Sequence, residues 1–361
     1  MAVYRYILAD LLTNQVNLEL PFYGVSFGRK LNAASNMTCS FALDSSGYDN
    51  KDVIEATEPG LTALYIDRNG QLIWGGIIWS RTWQEQSKSI SYTGQSFESY
   101  PNLVDIRNTL QYVNTDQRNI VIDLFRRMQD RNSRNLRILL PSDFPNNVIR
   151  SVNFYDYEAW TYGKAIKYMV EYDQGLDYTI DVRYGATGAL EKVLRVDDTL
   201  GSALDQTQLV FDYPGGIKNF WYPENASKAA TTMYGIGAGE GSAMPRIIIT
   251  NQKMIDAGYP DLVQFYTNKD ISNADTLASK TAGEALRLTI PITVPTFEVY
   301  PNTDPQFGQY NLGDYARFDI ESARFPEGKT IFSRIIGWEM RPTASDSQEE
   351  IKLIVAGEET Q

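Results

Sequence analysis

Histidine is absent from the 361 residues, and cysteine occurs once, as Cys39. Without histidine the commonest general base and metal ligand is missing, and neither a Ser-His nor a Cys-His nucleophile can form. A single cysteine excludes an intrachain disulfide and a zinc site built from several thiolates. Cys39 lies in an apolar, strand-like run, where we predict a small buried core residue. Any catalysis would therefore depend on carboxylates, lysine or tyrosine.

Positively charged residues are also few: the chain has 33 Lys and Arg and 45 Asp and Glu, which gives a net charge of -12. Nucleic-acid binders usually carry an excess of positive charge. We therefore expect no sequence-specific nucleic-acid binding, although an acidic wall suits a conduit through which DNA slides. The N-terminal MAVYRYILADLL is interrupted by Tyr4, Arg5 and Asp10, which predicts neither a signal peptide nor a membrane-spanning segment. We expect the chain to fold in the cytoplasm where it is made.

Short β segments separated by turn signals fill the first hundred residues. The dipeptide Asn69-Gly70 stands between two apolar runs, and this is the strongest short signal for a two-residue hairpin. The alternation of apolar and polar residues predicts strands at 3–8, 16–20, 24–31, 37–43, 63–66, 72–83 and 89–94.

The character of the sequence changes near Asp105. Residues 119–129 carry apolar side chains at helical spacing, preceded by a candidate cap at Thr115. A second helix is predicted at 158–171, followed by a hairpin whose turn contains Gly185 and Gly188. We interpret residues 105–203 as a small α/β insert.

Strand-like segments return from residue 207 and are interrupted by a helix that starts near Ser272, where Ser272 and Asp275 resemble a capping box. Residues 288–294 carry alternating apolar side chains interrupted by proline, which predicts an edge or irregular strand. We expect a mainly β fold with α+β inserts. The predicted domains are 1–104, 105–203 and 204–361, with a smaller inserted segment around 251–288.

The end of the first predicted β-domain resembles the end of the chain. The segments PGLTALYID, LIWGGIIWSRTW and SISYTGQ correspond in order to LGDYARFDI, TIFSRIIGWEMRP and IKLIVAGE. Three strands of similar composition could align equally well without common origin. The alignment pairs Gly60 with Gly313, Ile77-Ile78 with Ile335-Ile336, Trp79 with Trp338, and Gly94 with Gly357.

The same segments resemble a known family. ILADLLTNQVNLELPFYGVSFGRKLN and EATEPGLTALYIDRNGQLIWGGIIWSRTW are similar to the N-terminal domain of minor tail proteins from siphophages of actinobacteria, nearly continuously to Tyr100. LGDYARFDI and RIIGWEMRP are similar to the C-terminal β-domain of the same proteins. Together the two regions cover about half of the chain, and residues 251–272 have no counterpart that we recognise.

The resemblance implies a baseplate-hub-like fold with two related tail-tube-like β-barrel or sandwich domains. It further implies a homotrimeric tail hub in the virion, with a tail-tube or distal tail protein above and a spike or fibre below. DNA would pass through its channel during ejection. The family supplies no common catalytic residue to transfer, and Gly60, Trp74 to Ile78 and Gly313-Asp314 are interpreted as structural positions.

Two motifs suggest other chemistry. The glycine-rich run from Gly235 to Gly241 follows a strand, but Pro245 and a β-rich segment follow it instead of the helix that a dinucleotide loop needs. The acidic pairs could supply the two carboxylates of a glycosidase, yet scattered surface acids are the simpler interpretation. The pairs are Asp197-Asp198, Asp44 with Asp49, and Glu349-Glu350.

We therefore assign no catalytic, cofactor-binding or metal-binding residue and expect a structural protein without enzyme activity. Two alternatives stay open. The 23 tyrosines and six tryptophans could form a carbohydrate-binding face of a receptor-recognition protein at the tail tip. A cell-wall glycoside hydrolase is the second alternative.

Overall fold

The computed structural model describes residues 2–43, 45–206, 208–223, 226–288, 295–342 and 349–356. Strands contain 42% of the residues and helices 19%, which confirms the mainly β class. Two expectations lie outside the described residues: the role of Asp44 and the irregular strand at 289–294.

The first β-unit is the segment from β1 to β7. A helix, α1 (Asn50–Ala56), lies between its fourth and fifth strands. Its strands are β1 (Tyr4–Asp10), β2 (Val16–Glu19), β3 (Tyr23–Lys30), β4 (Asn36–Ala42), β5 (Thr62–Arg68), β6 (Gln71–Gln84) and β7 (Ser89–Ser96).

The first insert follows and combines two helices with short sheets. The strands β8 and β10 pair with each other, and β11 pairs with β12, which also holds β9. Its elements are β8 (Leu110–Asp116), α2 (Gln117–Met128), β9 (Ile138–Leu139), β10 (Ile149–Phe154), α3 (Tyr162–Val170), β11 (Asp177–Tyr184) and β12 (Leu190–Asp197).

The rest of the chain forms a second β-unit that is interrupted by a second insert. The second β-unit consists of β13 (Val210–Tyr213), β14 (Ile217–Trp221), β18 (Thr296–Val299), β19 (Tyr315–Ile320), β20 (Lys329–Arg341) and β21 (Glu350–Val355). The second insert consists of β15 (Thr232–Ile236), β16 (Arg246–Thr250), α4 (Gln252–Asp256), β17 (Val263–Thr267) and α5 (Ala274–Arg287).

The two β-units arrange their strands in the same order. Neighbouring strands run β3-β4-β7-β6-β5-β1 in the first unit and β14-β18-β21-β20-β19-β13 in the second. All of these neighbours are antiparallel except β13 and β19, which are parallel. The second insert occupies the place of the short turn between β3 and β4. This shared order is much stronger support for an internal repeat than the sequence alignment.

A β-bulge shared by the two β-units shows which residues correspond, and it shifts the pairing given by the sequence alignment by one residue. The register of β6 against β7 shifts between Ile78 and Ser80, and that of β20 against β21 shifts between Ile335 and Gly337. The extra residue is Trp79 in one unit and Ile336 in the other. Ile78 therefore corresponds to Ile335, whereas the sequence alignment paired Ile77 with it, because adjacent isoleucines gave the alignment no way to choose.

Of the other residue matches predicted by the alignment, one is confirmed by the structure and the others are not. Gly60 and Gly313 both have positive φ, and their N–H groups donate 2.8 Å hydrogen bonds to the carbonyl oxygens of Ile78 and Ile335, so this match is confirmed. Trp338 corresponds to Arg81, because both lie two residues beyond the bulge. The predicted match of Trp338 with Trp79 is wrong. The match of Gly94 with Gly357 is wrong as well, because Gly94 pairs with Ile78 and Val355 pairs with the equivalent Ile335.

Two apolar cores divide the molecule. One is formed by the apolar faces of both β-units, where Phe41, Leu64, Phe318 and Leu353 are fully buried. The other lies between the first β-unit and the first insert. Strand β5 contributes to both, with Leu64 facing the first core and Tyr65 the second, which explains why nearly every residue of β5 is buried.

Helix starts differ from the predictions by one to four residues. The side chain of Asp116 accepts a hydrogen bond from the N–H of Arg118, so Asp116 caps α2 in place of Thr115. Asn273 caps α5 in place of Ser272. Helix α3 begins after Thr161 rather than at residue 158. At the starts of α2 and α5, two residues with short polar side chains are adjacent in the sequence. Residue type alone therefore could not show which of the two caps the helix.

The second insert starts before residue 251, the start predicted for it. Strands β15 and β16 pair with β17 and form a separate three-stranded sheet. Helix α5 covers one face, where the added Cβ of an alanine at Gly235 would lie 2.0 Å from Thr281 Oγ1. Lys280 on α5 donates to the carbonyl of Tyr168 on α3 and so joins the two inserts.

Candidate functional site: the outward face of the long sheet

Eight strands of the two β-units form one continuous run, β14-β18-β21-β20-β3-β4-β7-β6. The units join where the last part of β20 pairs with β3, with Gly337 opposite Lys30 and Met340 opposite Phe27. Gly28 allows this approach, because a Cβ there would lie 2.4 Å from the carbonyl oxygen of Trp338. We call this contact the internal junction.

Alternation along each strand gives this run one apolar and one polar face. In β4 the buried Met37, Cys39 and Phe41 alternate with exposed or half-buried residues such as Thr38. Cys39 is 3% exposed, which confirms its predicted core position. Burial raises the pKa of its thiol and keeps it neutral. The apolar face packs into the core, so the polar face points outward.

In the first β-unit the outward face consists of hydroxyl and amide side chains. They hydrogen-bond across strands: Ser80 with Thr93 at 2.7 Å, and the amide of Gln95 to Asn36 at 3.0 Å. These side chains carry no charge. Lys30 at the end of β3 is the one charged residue on the described part of this face, since a Cβ added to Gly337 across the internal junction would lie 3.4 Å from Lys30 Cγ. Away from Lys30, such a wall is well hydrated and neither attracts nor repels phosphate. The uncharged face consists of Ser26, Asn36, Thr38, Ser40, Ser80, Thr82, Gln84, Ser91, Thr93 and Gln95.

In the second β-unit the same face carries charges of both signs. Lys218 forms an ion pair with Glu298 at 2.5 Å, and the Lys352 ammonium lies 5.1 Å from the centre of the Trp221 ring. Glu339 and Glu350 are exposed beside them. The expected acidic excess is thus not found on the described part of this face, which carries only Lys30 in the first unit and charges of both signs in the second.

The acidic pairs found in the sequence serve structural contacts. Asp197 accepts a hydrogen bond from Arg118 at 3.1 Å, and Asp198 accepts one from Asn147 at 2.6 Å. Asp49 caps α1 through the N–H of Lys51. These three carboxylates thus accept hydrogen bonds from Arg118, from the Asn147 amide and from the backbone N–H of Lys51.

Glu349 and its sequence neighbour Glu350 have different surroundings. It accepts hydrogen bonds from Arg68 at 2.7 and 2.6 Å and from the Tyr4 hydroxyl, while Glu350 is exposed. Burial alone would raise the pKa of Glu349, but the bonds from Arg68 and Tyr4 outweigh it and lower the pKa.

The glycine-rich run connects two antiparallel strands. Gly235 lies within β15, and residues 237–245 lead into β16. The N–H of Ala238 donates to the carbonyl of Ile271 at 2.7 Å, which ties the loop to the segment before α5. A single 3-10 turn (Gly241–Ala243) and then strand β16 follow the glycines, so the α-helix that a dinucleotide loop needs is not there.

Sequence reasoning missed the ion pairs that join the first insert to both β-units. Arg29 on β3 contacts Asp181 on β11, and Arg334 on β20 contacts Asp177 at 2.5 Å. Glu98 is fully buried beside Arg29, and burial raises its pKa more than Arg29 lowers it. No local pattern marks these residues, because each partner lies more than 60 residues away along the chain.

Among the described residues, no three His, Cys, Asp or Glu side chains are grouped closely enough to hold a metal ion. No helix in the described part of the chain is both long and apolar enough to cross a bilayer.

No family model matches the sequence, and no curated protein sequence matches it significantly. Solved structures do match. The tail protein from Neisseria meningitidis MC58 has a TM-score of 0.61 at 10% identity, covering 97% of this chain and 96% of its own. The 43 kDa tail protein of prophage MuSo2 from Shewanella oneidensis has a TM-score of 0.60 at 10% identity, covering 98% of both chains.

A third match has the highest identity of the three. Prophage tail protein gp18 from Listeria monocytogenes EGD-e has a TM-score of 0.55 at 14% identity, covering 97% of this chain and 94% of its own. At such identities the likeness concerns the fold. Over nearly its whole length, the chain has the fold of these three tail proteins.

Proposed function

We propose that the chain is a structural, non-enzymatic tail-hub protein of a bacteriophage, and the siphophages of actinobacteria are the group that its sequence resembles. In this proposal three copies form a ring at the tail tip. The ring continues the tail tube above, carries a spike or fibre below, and is assembled in the host cytoplasm. The observation that carries the proposal is the duplicated strand order, which builds one continuous sheet from two equivalent units.

The polar face of that sheet supports a role as a channel wall. DNA carries one phosphate charge about every 1.7 Å, so even a modest excess of lysine and arginine on the wall would hold it. A lining of Ser, Thr, Asn and Gln with balanced ion pairs gives no net attraction. The genome could then pass without being bound.

Native mass spectrometry of the purified chain tests the ring. Subunits of 40.8 kDa in threefold symmetry give an assembly of about 122 kDa. Electron microscopy of the same sample should show rings with six similar lobes, because each chain supplies two related units. A monomer at every concentration would argue against the hub.

A second candidate function is carbohydrate recognition, and one surface favours it. On the sheet of the second insert, Ile248 and Phe265 flank Tyr234 on neighbouring strands. Ile248 is 58% exposed and Phe265 66% exposed. Aromatic rings in such a row can stack on the apolar faces of sugars.

Binding of host cell-wall polysaccharide by the isolated chain tests this candidate. Phe265→Ala should abolish the binding, whereas Tyr157→Ala, which removes a 76% exposed ring from the first insert, should not. Equal binding by both variants would remove the support for a sugar site on this sheet.

A further inference from the structure

Lys280 on α5 of the second insert is buried against the first insert. It is 2% exposed, and its Nζ donates a hydrogen bond to the carbonyl oxygen of Tyr168 on α3. The same nitrogen lies 3.9 Å from the centres of both the Tyr168 ring and the Tyr172 ring. The planes of the two rings are 86° apart, so the rings form a corner around the amine. We call this arrangement the lysine contact.

The lysine contact differs from an ordinary buried ion pair. In the described part of the chain, Lys280 Nζ contacts one carbonyl oxygen and two ring faces, and no carboxylate is close enough to pair with it. Glu171, at the end of α3, acts on the amine from farther away and is itself paired with Lys167 at 3.6 Å. Arg150 on β10 and Arg287 on α5 repel a positive charge there. A carbonyl and two ring faces therefore offset only part of the cost of burying the charge.

Burial lowers the pKa of Lys280 to about 7, from 10.5 for an exposed lysine. We propose that the lysine contact makes the association of the two inserts sensitive to pH, so that the inserts separate as the pH falls. This behaviour belongs to a single chain and goes beyond the proposed hub, because it depends neither on a ring nor on a neighbouring protein.

Two further contacts between the inserts involve no buried charge. Lys164 on α3 forms an ion pair with Asp270 at 3.5 Å, but the two side chains are 50% and 48% exposed. Exposed ion pairs of this kind contribute little to stability. The backbone of α5 also lies close to the first insert, because a Cβ on Gly283 would be 3.4 Å from the carbonyl oxygen of Glu171. Lys280 therefore carries the only buried charge among these three contacts.

Helix α5 uses different faces for its own insert and for the first insert. Leu277 and Thr281 are fully buried, one helical turn apart, and both pack against β15 and the loop that follows it. Lys280 and Gly283 lie three residues apart on a neighbouring face and contact the first insert. The second insert is joined to the rest of the chain between β14 and β18, which pair with each other. It can therefore move away from the first insert without unfolding.

Proton uptake by Lys280 sets the direction of the pH effect. When the inserts separate, Lys280 enters water and recovers the pKa of an exposed lysine. Between pH 10.5 and 7 the separated form then holds a proton that the buried amine lacks, so each unit of falling pH favours separation about tenfold. Below about pH 7 both forms are protonated and the effect ends. Tyr168 does not titrate in this range, because burial raises its pKa and Tyr266 and Asp270 of the second insert add to the rise.

Single-molecule fluorescence energy transfer in the full chain tests the proposal. Dyes are attached to Tyr157→Cys on the first insert and Lys253→Cys on the second, which are both exposed positions, while the native Cys39 is buried and stays unlabelled. Molecules with separated inserts give low transfer. Their fraction should rise at least about tenfold between pH 9 and 7 and change by less than about threefold between pH 7 and 6.

Two substitutions of Lys280 remove the titration in opposite ways. Lys280→Met cannot take up the proton, and Lys280→Arg stays positively charged throughout this pH range. The low-transfer fraction of each variant should therefore be the same at every pH. The matched control is Lys164→Met, which removes an exposed lysine from the same surface and should retain the rise. Circular dichroism of each variant checks that the inserts remain folded.

A native chain with the same transfer at every pH would overturn the proposed pH sensitivity, and so would an equal rise in Lys280→Met and Lys280→Arg. Either result leaves the hub standing if native mass spectrometry gives a trimer. A monomer that shows the rise, lost in both Lys280 variants, supports the lysine contact and counts against the ring alone.

Discussion

Arg68 and Glu349 form a two-pronged ion pair that ties the first β-unit to the last strand of the chain. Nε and Nη2 of Arg68 lie 2.7 and 2.6 Å from the two carboxylate oxygens. Their side chains are 13% and 9% exposed. The Tyr4 hydroxyl donates to the same carboxylate, so three residues from distant parts of the sequence share one contact.

We predict that Arg68→Ala lowers the free energy of unfolding by about 3 kcal/mol, because it leaves a buried carboxylate without its cation. Urea denaturation measures the loss. The matched control is Arg5→Ala, which breaks an exposed ion pair with Glu19 and should cost less than about 1 kcal/mol. Equal losses would mean that burial of the Arg68 pair has no energetic consequence.

The same pair predicts acid sensitivity. The pKa of Glu349 is lowered below its ordinary 4.5 in the folded state. Its contribution to stability is therefore present above pH 4.5 and is lost as the pH falls through the lowered folded value. Glu349→Gln should remove this part of the pH dependence when unfolding is followed between pH 3 and 6.

A second prediction uses the equivalent glycines of the two units. Gly60 and Gly313 share positive φ, but a Cβ on Gly313 would lie 2.2 Å from the Leu200 carbonyl oxygen, while one on Gly60 meets only a Trp79 ring atom at 4.0 Å. Gly60→Ala should cost about 1 kcal/mol, the strain of a left-handed alanine. Gly313→Ala should cost at least about 2 kcal/mol more, because backbone must move. Thermal unfolding of the two variants gives the difference directly, and equal costs would contradict the close approach.

A third prediction concerns Lys192, which is fully buried and donates to the carbonyls of Leu11 and Leu136 at 3.0 and 2.9 Å. Burial lowers its pKa to about 7. Between pH 7 and 9 the unfolded chain binds this proton more fully than the folded one, so stability should rise with pH. Lys192→Met should flatten that rise, as followed by urea denaturation at each pH.

The control for Lys192 is Lys51→Met, which changes an exposed lysine on α1 and should leave the pH slope unaltered. Lys280, whose pKa burial also lowers to about 7, retains its share of the slope in both variants. A slope for Lys192→Met identical to that of the native chain would contradict the prediction.

A fourth prediction tests the uncharged face. Thr38→Lys with Thr93→Lys adds two positive charges to it, and in the assembled ring these should create binding to duplex DNA that weakens steeply with salt. Fluorescence anisotropy with a labelled duplex measures the gain. The control, Thr250→Lys with Thr267→Lys, adds the same charges to the second insert and should bind less. Equal binding by both would argue against the face as the channel wall.

Elements whose structure is set by neighbouring residues in the sequence could be predicted. The Asn69-Gly70 turn is present with both residues at positive φ, as the dipeptide indicated. Alternation also identified the strands on either side. Helix α1 was missed, because seven residues with only Val53 and Ala56 buried give too short a pattern. Strands β15 and β16 resemble those of the β-units in composition, so nothing local separated them from the second unit.

The candidate surface could not be predicted, because it depends on pairing between residues some 300 positions apart. Neither Phe27 nor Met340 carries a sign that the two are neighbours. In the sequence the repeat is visible only as similar composition. Its register depends on the shared β-bulge, and no residue type in the sequence predicts where that bulge lies. The domain boundaries at 104 and 203 stay a prediction.

The internal junction has a kinetic consequence. A contact between two parts of one chain forms at a fixed effective concentration, whatever the amount of protein in the cell. In the proposed ring, contacts within a chain and contacts between chains would then form at different times. The internal junction forms as the chain folds, and contacts between chains wait for encounters between folded copies. Met340 is buried within the single chain, whereas Trp83, at the equivalent position of β6, is 44% exposed there. Fusing two units into one polypeptide thus separates folding from assembly along a single continuous sheet.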